Sequence, residues 1–259
     1  MPDGSTSLEA IAGQRFSLKL SSACAIAGGG GFLAVGVAHG DLPDDDVGAA
    51  LRFVADHPQW YATHLAGIVC VLLWVGAFTG LAHSLRGGVA AVLGRLATVS
   101  MGVGAAVFTV DYTIDGYAFK RIADQWAAAA SGPAAERYLT IADAMFAVLY
   151  GTVTASAMWT LGLPFLLIGL AVAADHEFPR WLGWIVAVTG GGSVAGGLIT
   201  YLAWHPGAGF VLALACNALS AGWLVAVGVL MWRRARALTT PEVADRTGRG
   251  GGPRAPDQR

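Results

Sequence analysis

Two aspartates one helical turn apart, Asp111 and Asp115, are the residues in this sequence best placed to do chemistry. Residues four positions apart lie on one face of a helix, and two tyrosines, Tyr112 and Tyr117, flank the pair. Paired carboxylates beside tyrosines suit general acid–base catalysis. We therefore predict Asp111 and Asp115 as catalytic residues and Tyr112 and Tyr117 as ligand-binding residues.

Further charged residues follow on the same predicted helix and on the next one. If the chain turns back at Gly132, Lys120 lies level with Asp143, and Asp111 lies level with Thr152. This register predicts an ion pair between Lys120 and Asp143, although exposed pairs contribute only about 0–1 kcal/mol. We add Asp143 as a third candidate catalytic carboxylate and Lys120 as a candidate ligand-binding residue.

Histidines offer a second kind of chemistry, because imidazole and carboxylate together suit zinc, copper or iron. The predicted topology places His39, His57, His64 and His205 on one side of the membrane, at the level of Asp111. No ligand-spacing motif such as HxxxH joins them. The sequence therefore predicts no cofactor but leaves a metal site open, and it makes His64 a candidate ligand-binding residue.

Haem b is an alternative that the histidine spacing disfavours. His64 and His83 are 19 positions apart on one predicted helix, which corresponds to about 28 Å along its axis. They would lie near opposite membrane faces, whereas an axial haem ligand should lie in the apolar interior.

The composition indicates the environment that these residues share. Of 259 residues, 55% are hydrophobic and 13% are charged, and the mean hydropathy is +0.58. Soluble domains have roughly 25% charged residues. The composition predicts an all-α integral membrane protein with the lipid bilayer as its main partner, and it gives no support for nucleic-acid binding.

Six apolar segments are long enough to cross a bilayer, which requires about 20 residues each. The predicted spans are 18–40, 62–85, 88–111, 150–173, 182–204 and 208–232. Residues 88–130 and 133–173 each resemble one long helix, so helices 3 and 4 should form an extended hairpin on the outer side. With the stretches 41–61 and 112–149 as an outer cap, residues 18–236 form a six-helix membrane domain. In that cap, the acidic run 44–46 predicts the start of a short amphipathic helix.

Charge distribution predicts the orientation. Most arginines and lysines lie on the side of the two termini, so the positive-inside rule predicts that both termini are cytoplasmic. We expect the protein to lie in the plasma membrane. Residues 1–17 form a cytoplasmic segment, and residues 237–259 form a disordered cytoplasmic tail. Cleavage of residues 1–38 as a signal peptide is an alternative. It is disfavoured because the apolar stretch 20–38 exceeds the usual ~7–15 residues.

Two stretches, DGYAFKRIADQW at 115–126 and FPRWLGW at 178–184, resemble a pattern of bacterial multi-pass membrane proteins that are uncharacterised and have about six spans. The resemblance implies a helical membrane bundle, with the first stretch joining helices 3 and 4 and the second opening helix 5. It implies no activity.

These observations favour a multi-pass membrane protein that binds or processes an apolar small molecule or lipid at the outer membrane interface. Whether it is an enzyme stays open. One alternative is an accessory or assembly subunit that docks a membrane protein partner through the hairpin. A second alternative is a metal- or haem-binding membrane protein.

Overall fold

The computed structural model of the chain is helical throughout and has no strand in the residues that it describes, which are 4–43, 46–129, 131–176, 178–203 and 207–238. The predicted all-α class is therefore confirmed for these residues. The α-helices are α1 (Gly4–His39), α2 (Val47–Ala55), α3 (Trp60–Ser84), α4 (Gly88–Thr113), α5 (Lys120–Ala128), α6 (Pro133–Trp159), α7 (Leu163–Ala174), α8 (Arg180–Ala203) and α9 (Ala208–Ala237). A π-helical segment, Ile114–Phe119, joins α4 to α5.

Within the described residues, six helical stretches are long and apolar enough to cross a membrane, as predicted. They are Ile11–His39, Trp60–Ser84, Gly88–Ala128, Pro133–Ala174, Arg180–Ala203 and Ala208–Ala237. Their outward faces present large apolar side chains, of which Val37 is 86% exposed and Val188 is 70% exposed. Extended apolar surface of this kind is compatible with lipid contact and is unusual on a soluble monomer.

The main core lies between α1, α3, α4, α7, α8 and α9 and is centred on aromatic side chains. Trp74 and Phe78 of α3 meet Phe165 of α7 edge to face, with ring centroids 5.4 and 5.1 Å apart. Such edge-to-face pairs add about 0.5–1.5 kcal/mol each to the burial of their area. This core fixes α3 and α4 side by side, and both helices continue into the candidate site.

A second, smaller core lies at one end of the bundle and is formed by α2, α5 and α6 with Trp60 and Phe119. Asp46 accepts hydrogen bonds from the backbone N–H groups of Gly48 and Ala49, at 2.8 and 3.1 Å, and so caps α2. The short amphipathic helix expected in this region is confirmed. Residues 44 and 45 of the acidic run lie outside the described part. We call this end of the molecule the cap end.

The prediction of one unbroken helix over 133–173 is wrong. The chain leaves the helix at residues 160–162, between α6 and α7. Pro164 has no N–H to donate to the carbonyl of Thr160, four residues earlier. The hydroxyl of Thr160 donates to the carbonyl of Gly104 on α4, at 2.6 Å. The tail predicted to be disordered lies outside the described residues from 239 onward.

Candidate metal centre

Three side chains from three separate helices converge at the cap end. The imidazole Nε2 atoms of His39 and His64 lie 3.4 and 3.1 Å from the Oδ2 atom of Asp115. One donor atom from each residue lies within 4.8 Å of the others, which is close enough to hold a metal ion. We call these residues the His–His–Asp cluster.

The end of α1 fixes the ring of His39. His39 is the last residue of the helix, and Gly40 follows it with a φ of +70°. Glycine adopts this left-handed conformation without steric cost. The turn brings the carbonyl of Gly40 within 3.1 Å of His39 Nδ1. Because a carbonyl can only accept, Nδ1 must carry the proton of a neutral ring.

The first turn of α3 fixes His64 in the same way. Its Nδ1 donates to the carbonyl of Trp60, one turn earlier, at 2.8 Å. The Trp60 ring centroid lies 4.6 Å from that of His39 and 4.7 Å from that of His64. Its indole N–H donates to the backbone carbonyl of Asp115 at 3.2 Å. Trp60 therefore contacts all members of the cluster.

The π-helical segment brings Asp115 to the two histidines. A π-helical turn is wider than an α-helical one and frequently occurs at functional sites. Gly116 allows this segment to approach α3 closely, since a Cβ at this position would lie only 2.6 Å from Cγ of His64. Glycine is thus required here by the close contact between the two helices.

The hydrogen bonds leave the cluster with an unusual balance of donors and acceptors. With Nδ1 of both histidines protonated, each Nε2 presents a lone pair toward the Asp115 carboxylate. His64 Nε2 is buried and has no aligned hydrogen bond to a described residue, and the same is true of Asp115 Oδ1. Acceptors that face one another in this way require a cation, either extra protons on the imidazoles or a metal ion.

The other predicted acid, Asp111, belongs to a separate contact. It is 3% exposed and accepts a hydrogen bond from the hydroxyl of Thr152 at 2.6 Å. The contact agrees with the expected common height of these two residues. Asp111 therefore contacts α6, whereas Asp115, four positions later, contacts α1 and α3. Tyr112 lies between the two aspartates in sequence. Its ring centroid is 4.9 Å from that of His64 and 4.0 Å from that of Phe108.

The expected ion pair between Lys120 and Asp143 is not the contact that Lys120 makes. Lys120 is buried and bonds Asp124 at 2.6 Å and the carbonyl of Ala55 at 3.2 Å. Asp124 lies one turn ahead on α5, so the pair forms within a helix. Asp143 is exposed on α6. Tyr117 is also exposed, and its ring lies 5.8 Å from that of Tyr61.

The remaining candidate metal ligands differ in position. His57 packs against Phe53 and donates Nδ1–H to its carbonyl at 2.5 Å, outside the His–His–Asp cluster. His205 lies outside the described residues. The sequence placed Asp111 with the histidines, and the structure places Asp115 there instead.

Sequence reasoning missed two contributors to this site, Trp60 and Gly116. The four-residue spacing of Trp60 and His64 places both side chains on one face of a helix and was the available signal for their contact. Gly116 directly follows Asp115, and that adjacency was the available signal for a close helix contact.

No protein-family model, curated protein or solved structure matches the chain. The class of protein therefore rests on the fold and the site alone. They define a helical protein whose described part has six stretches long and apolar enough to span a membrane and a His–His–Asp cluster able to hold a metal ion.

Proposed function

We propose that the protein is an integral membrane metalloprotein that binds one divalent transition-metal ion at His39, His64 and Asp115. The observation that supports this most directly is the direction of the imidazole rings. Both donate Nδ1–H to a backbone carbonyl and present Nε2 to the same carboxylate oxygen. Metal-binding histidines usually donate their other N–H to a carbonyl or carboxylate in this way.

The spacing of the ligand atoms supports the same proposal. Ligands bound about 2.1 Å from a tetrahedral zinc ion lie about 3.4 Å from one another, and octahedral ligands lie about 3.0 Å apart. The two distances from Asp115 Oδ2 to the imidazoles, 3.4 and 3.1 Å, fall in this range. Two histidines and one carboxylate suit zinc or ferrous iron.

A centre with three protein ligands suits chemistry on an apolar substrate better than a purely structural role. Structural zinc sites use four protein ligands, whereas catalytic sites use three and bind water or substrate in the remaining position. Asp115 and His39 have side chains 17% and 21% exposed, so the cluster is reachable from its surface. We propose that the ion acts there on an apolar small molecule or a lipid at the membrane interface.

The experiment is metal analysis of the full chain purified in mild detergent, stripped with a chelator and reloaded with zinc or ferrous iron. We expect elemental mass spectrometry to find one metal ion per chain. The variants His39→Gln, His64→Gln and Asp115→Asn should lower the affinity at least about tenfold. Two matched controls, His57→Gln and Asp143→Asn, should retain the affinity of the unaltered chain.

Equal metal binding by cluster variants and controls would overturn the proposal. The cluster would then be a carboxylate held by protonated imidazoles. A partner protein that copurifies in stoichiometric amount with a metal-free chain would favour the accessory-subunit alternative instead.

A further inference from the structure

A groove lies on the surface between α1 and α9, away from the cap end. Its volume is about 520 Å³, within the range of about 300–1,000 Å³ typical of small-molecule sites. It is lined by Ala23, Ile26 and Ala27 of α1 and by Val229, Trp232, Arg233 and Arg236 of α9.

The shape of the groove follows from small side chains on α1. Ala23 and Ala27 are one turn apart on this helix, and both are exposed. Beside the larger Ile26 and Val229, the two alanines leave a channel along the helix pair. Its wall is carbon along most of its length, so it is suited to a hydrocarbon chain.

Three cations lie at one end of this groove, and two of them contact the indole of Trp232. The Lys19 ammonium lies 6.0 Å from the ring centroid, and the Arg236 guanidinium lies 5.7 Å from it. Arg233 lines the groove one position after Trp232. Cations over an aromatic face are held in place by its quadrupole, so the positive charges are kept together beside the apolar channel.

The neighbouring charges do not neutralise this group. Arg234 faces another side of α9, with its guanidinium 5.3 Å from the Phe178 ring. Arg15 precedes Lys19 by one turn and adds a further positive charge. The nearest described acid before Lys19 on α1 is Glu9, ten positions away, which corresponds to about 15 Å. The apolar channel therefore ends in a group of cations, with no acid on α9 and none on the described part of α1 nearer than Glu9.

We propose that this groove binds one anionic glycerophospholipid, independently of the metal centre. An acyl chain lies along the channel between α1 and α9, and the phosphate contacts Lys19, Arg233 and Arg236. Arginine pairs with phosphate through two parallel N–H groups, and basic pockets between membrane helices bind anionic headgroups. From Lys19 to Ala27 is eight positions, about 12 Å, close to the half-thickness of about 15 Å of the hydrocarbon core.

The test is native mass spectrometry of the full chain, released from detergent with equal amounts of phosphatidylglycerol and phosphatidylcholine of identical acyl chains. We expect the unaltered chain to retain phosphatidylglycerol over phosphatidylcholine by about tenfold or more. The double variant Arg233→Gln/Arg236→Gln should lose this preference. The matched control Arg121→Gln/Arg137→Gln removes two exposed arginines elsewhere and should keep it.

A second variant, Ala27→Phe, separates the acyl groove from the charges. It fills the channel without altering any cation, so retention of phosphatidylglycerol should fall while the elution volume of the protein stays unchanged. Equal retention of both lipids by the unaltered chain, an unchanged preference in the arginine double variant, or full retention by Ala27→Phe would each overturn the proposal.

Discussion

Substitution of Gly116 by alanine tests whether the contact between the π-helical segment and α3 positions the cluster. A Cβ at this position would lie 2.6 Å from Cγ of His64, whereas carbon atoms in contact are separated by about 3.5 Å or more. The Cγ atom of His64 lies only two bonds from the backbone of α3, so it can move little by itself. The imidazole ring also contacts the rings of Trp60 and Tyr112. The relief of the clash therefore requires a shift of about 1 Å between the two helices.

A shift of this size is large for a metal site, because ligand distances tolerate changes of only about 0.2 Å. We expect Gly116→Ala to weaken metal binding at least about tenfold, which corresponds to about 1.4 kcal/mol. The added methyl group should also destabilise the fold by about 1–3 kcal/mol. Metal titration of the stripped protein, followed by thermal unfolding in the same detergent, measures both effects.

The control is Gly102→Ala on α4, where a Cβ would meet no atom within 4 Å. This change should leave metal binding unaltered and favour the helix by up to about 1 kcal/mol. If Gly116→Ala bound metal as tightly as Gly102→Ala, the close contact would not position Asp115, and the geometric reasoning would be refuted.

Two further predictions concern the surroundings of the cluster. Thr152→Val removes the hydroxyl that donates to Asp111 at 2.6 Å, so it should lower the free energy of unfolding by about 1–3 kcal/mol. Thermal unfolding should show a smaller loss in Thr154→Val, whose hydroxyl bonds only carbonyls of its own helix, and no loss in Thr152→Ser. Acidification from about pH 8 to about pH 5, the range in which histidine generally serves as a switch, should release the metal, because protons compete with the ion for its ligand atoms. Metal retention measured by equilibrium dialysis should therefore fall as the pH is lowered, and constant retention across this range would contradict ligation by His39 and His64.

The six apolar stretches could be predicted because each depends only on local composition and length. The contact of Asp111 with Thr152 was also within reach, since a turn at Gly132 fixes which residues face each other across two antiparallel helices. The interruption at residues 160–162 had a visible signal in Pro164. Each of these features follows from local sequence or from the position of a single turn.

The His–His–Asp cluster depends instead on how three helices lie relative to one another. Asp111 and Asp115 are four positions apart and were expected to act together, but their carboxylates contact different helices. The π-helical segment changes the register just where Asp115 begins to face α3, and a change of one residue per turn has no clear sequence signature. Lys120 was likewise paired with the wrong acid, because Asp124 competes from within its own helix.

The comparison of two acids shows why the cluster differs from an ordinary structural contact. Asp175, which is 3% exposed, accepts the backbone N–H of Arg86 at 2.7 Å. A carboxylate that receives donors is satisfied, and such a bond joins two parts of the chain. Asp115 instead faces two imidazole nitrogens whose other nitrogens already donate to carbonyls. Burial of such groups is costly unless a cation joins them. Either a metal ion or extra protons on the imidazoles would supply that cation, and metal analysis of the His39, His64 and Asp115 variants distinguishes the two.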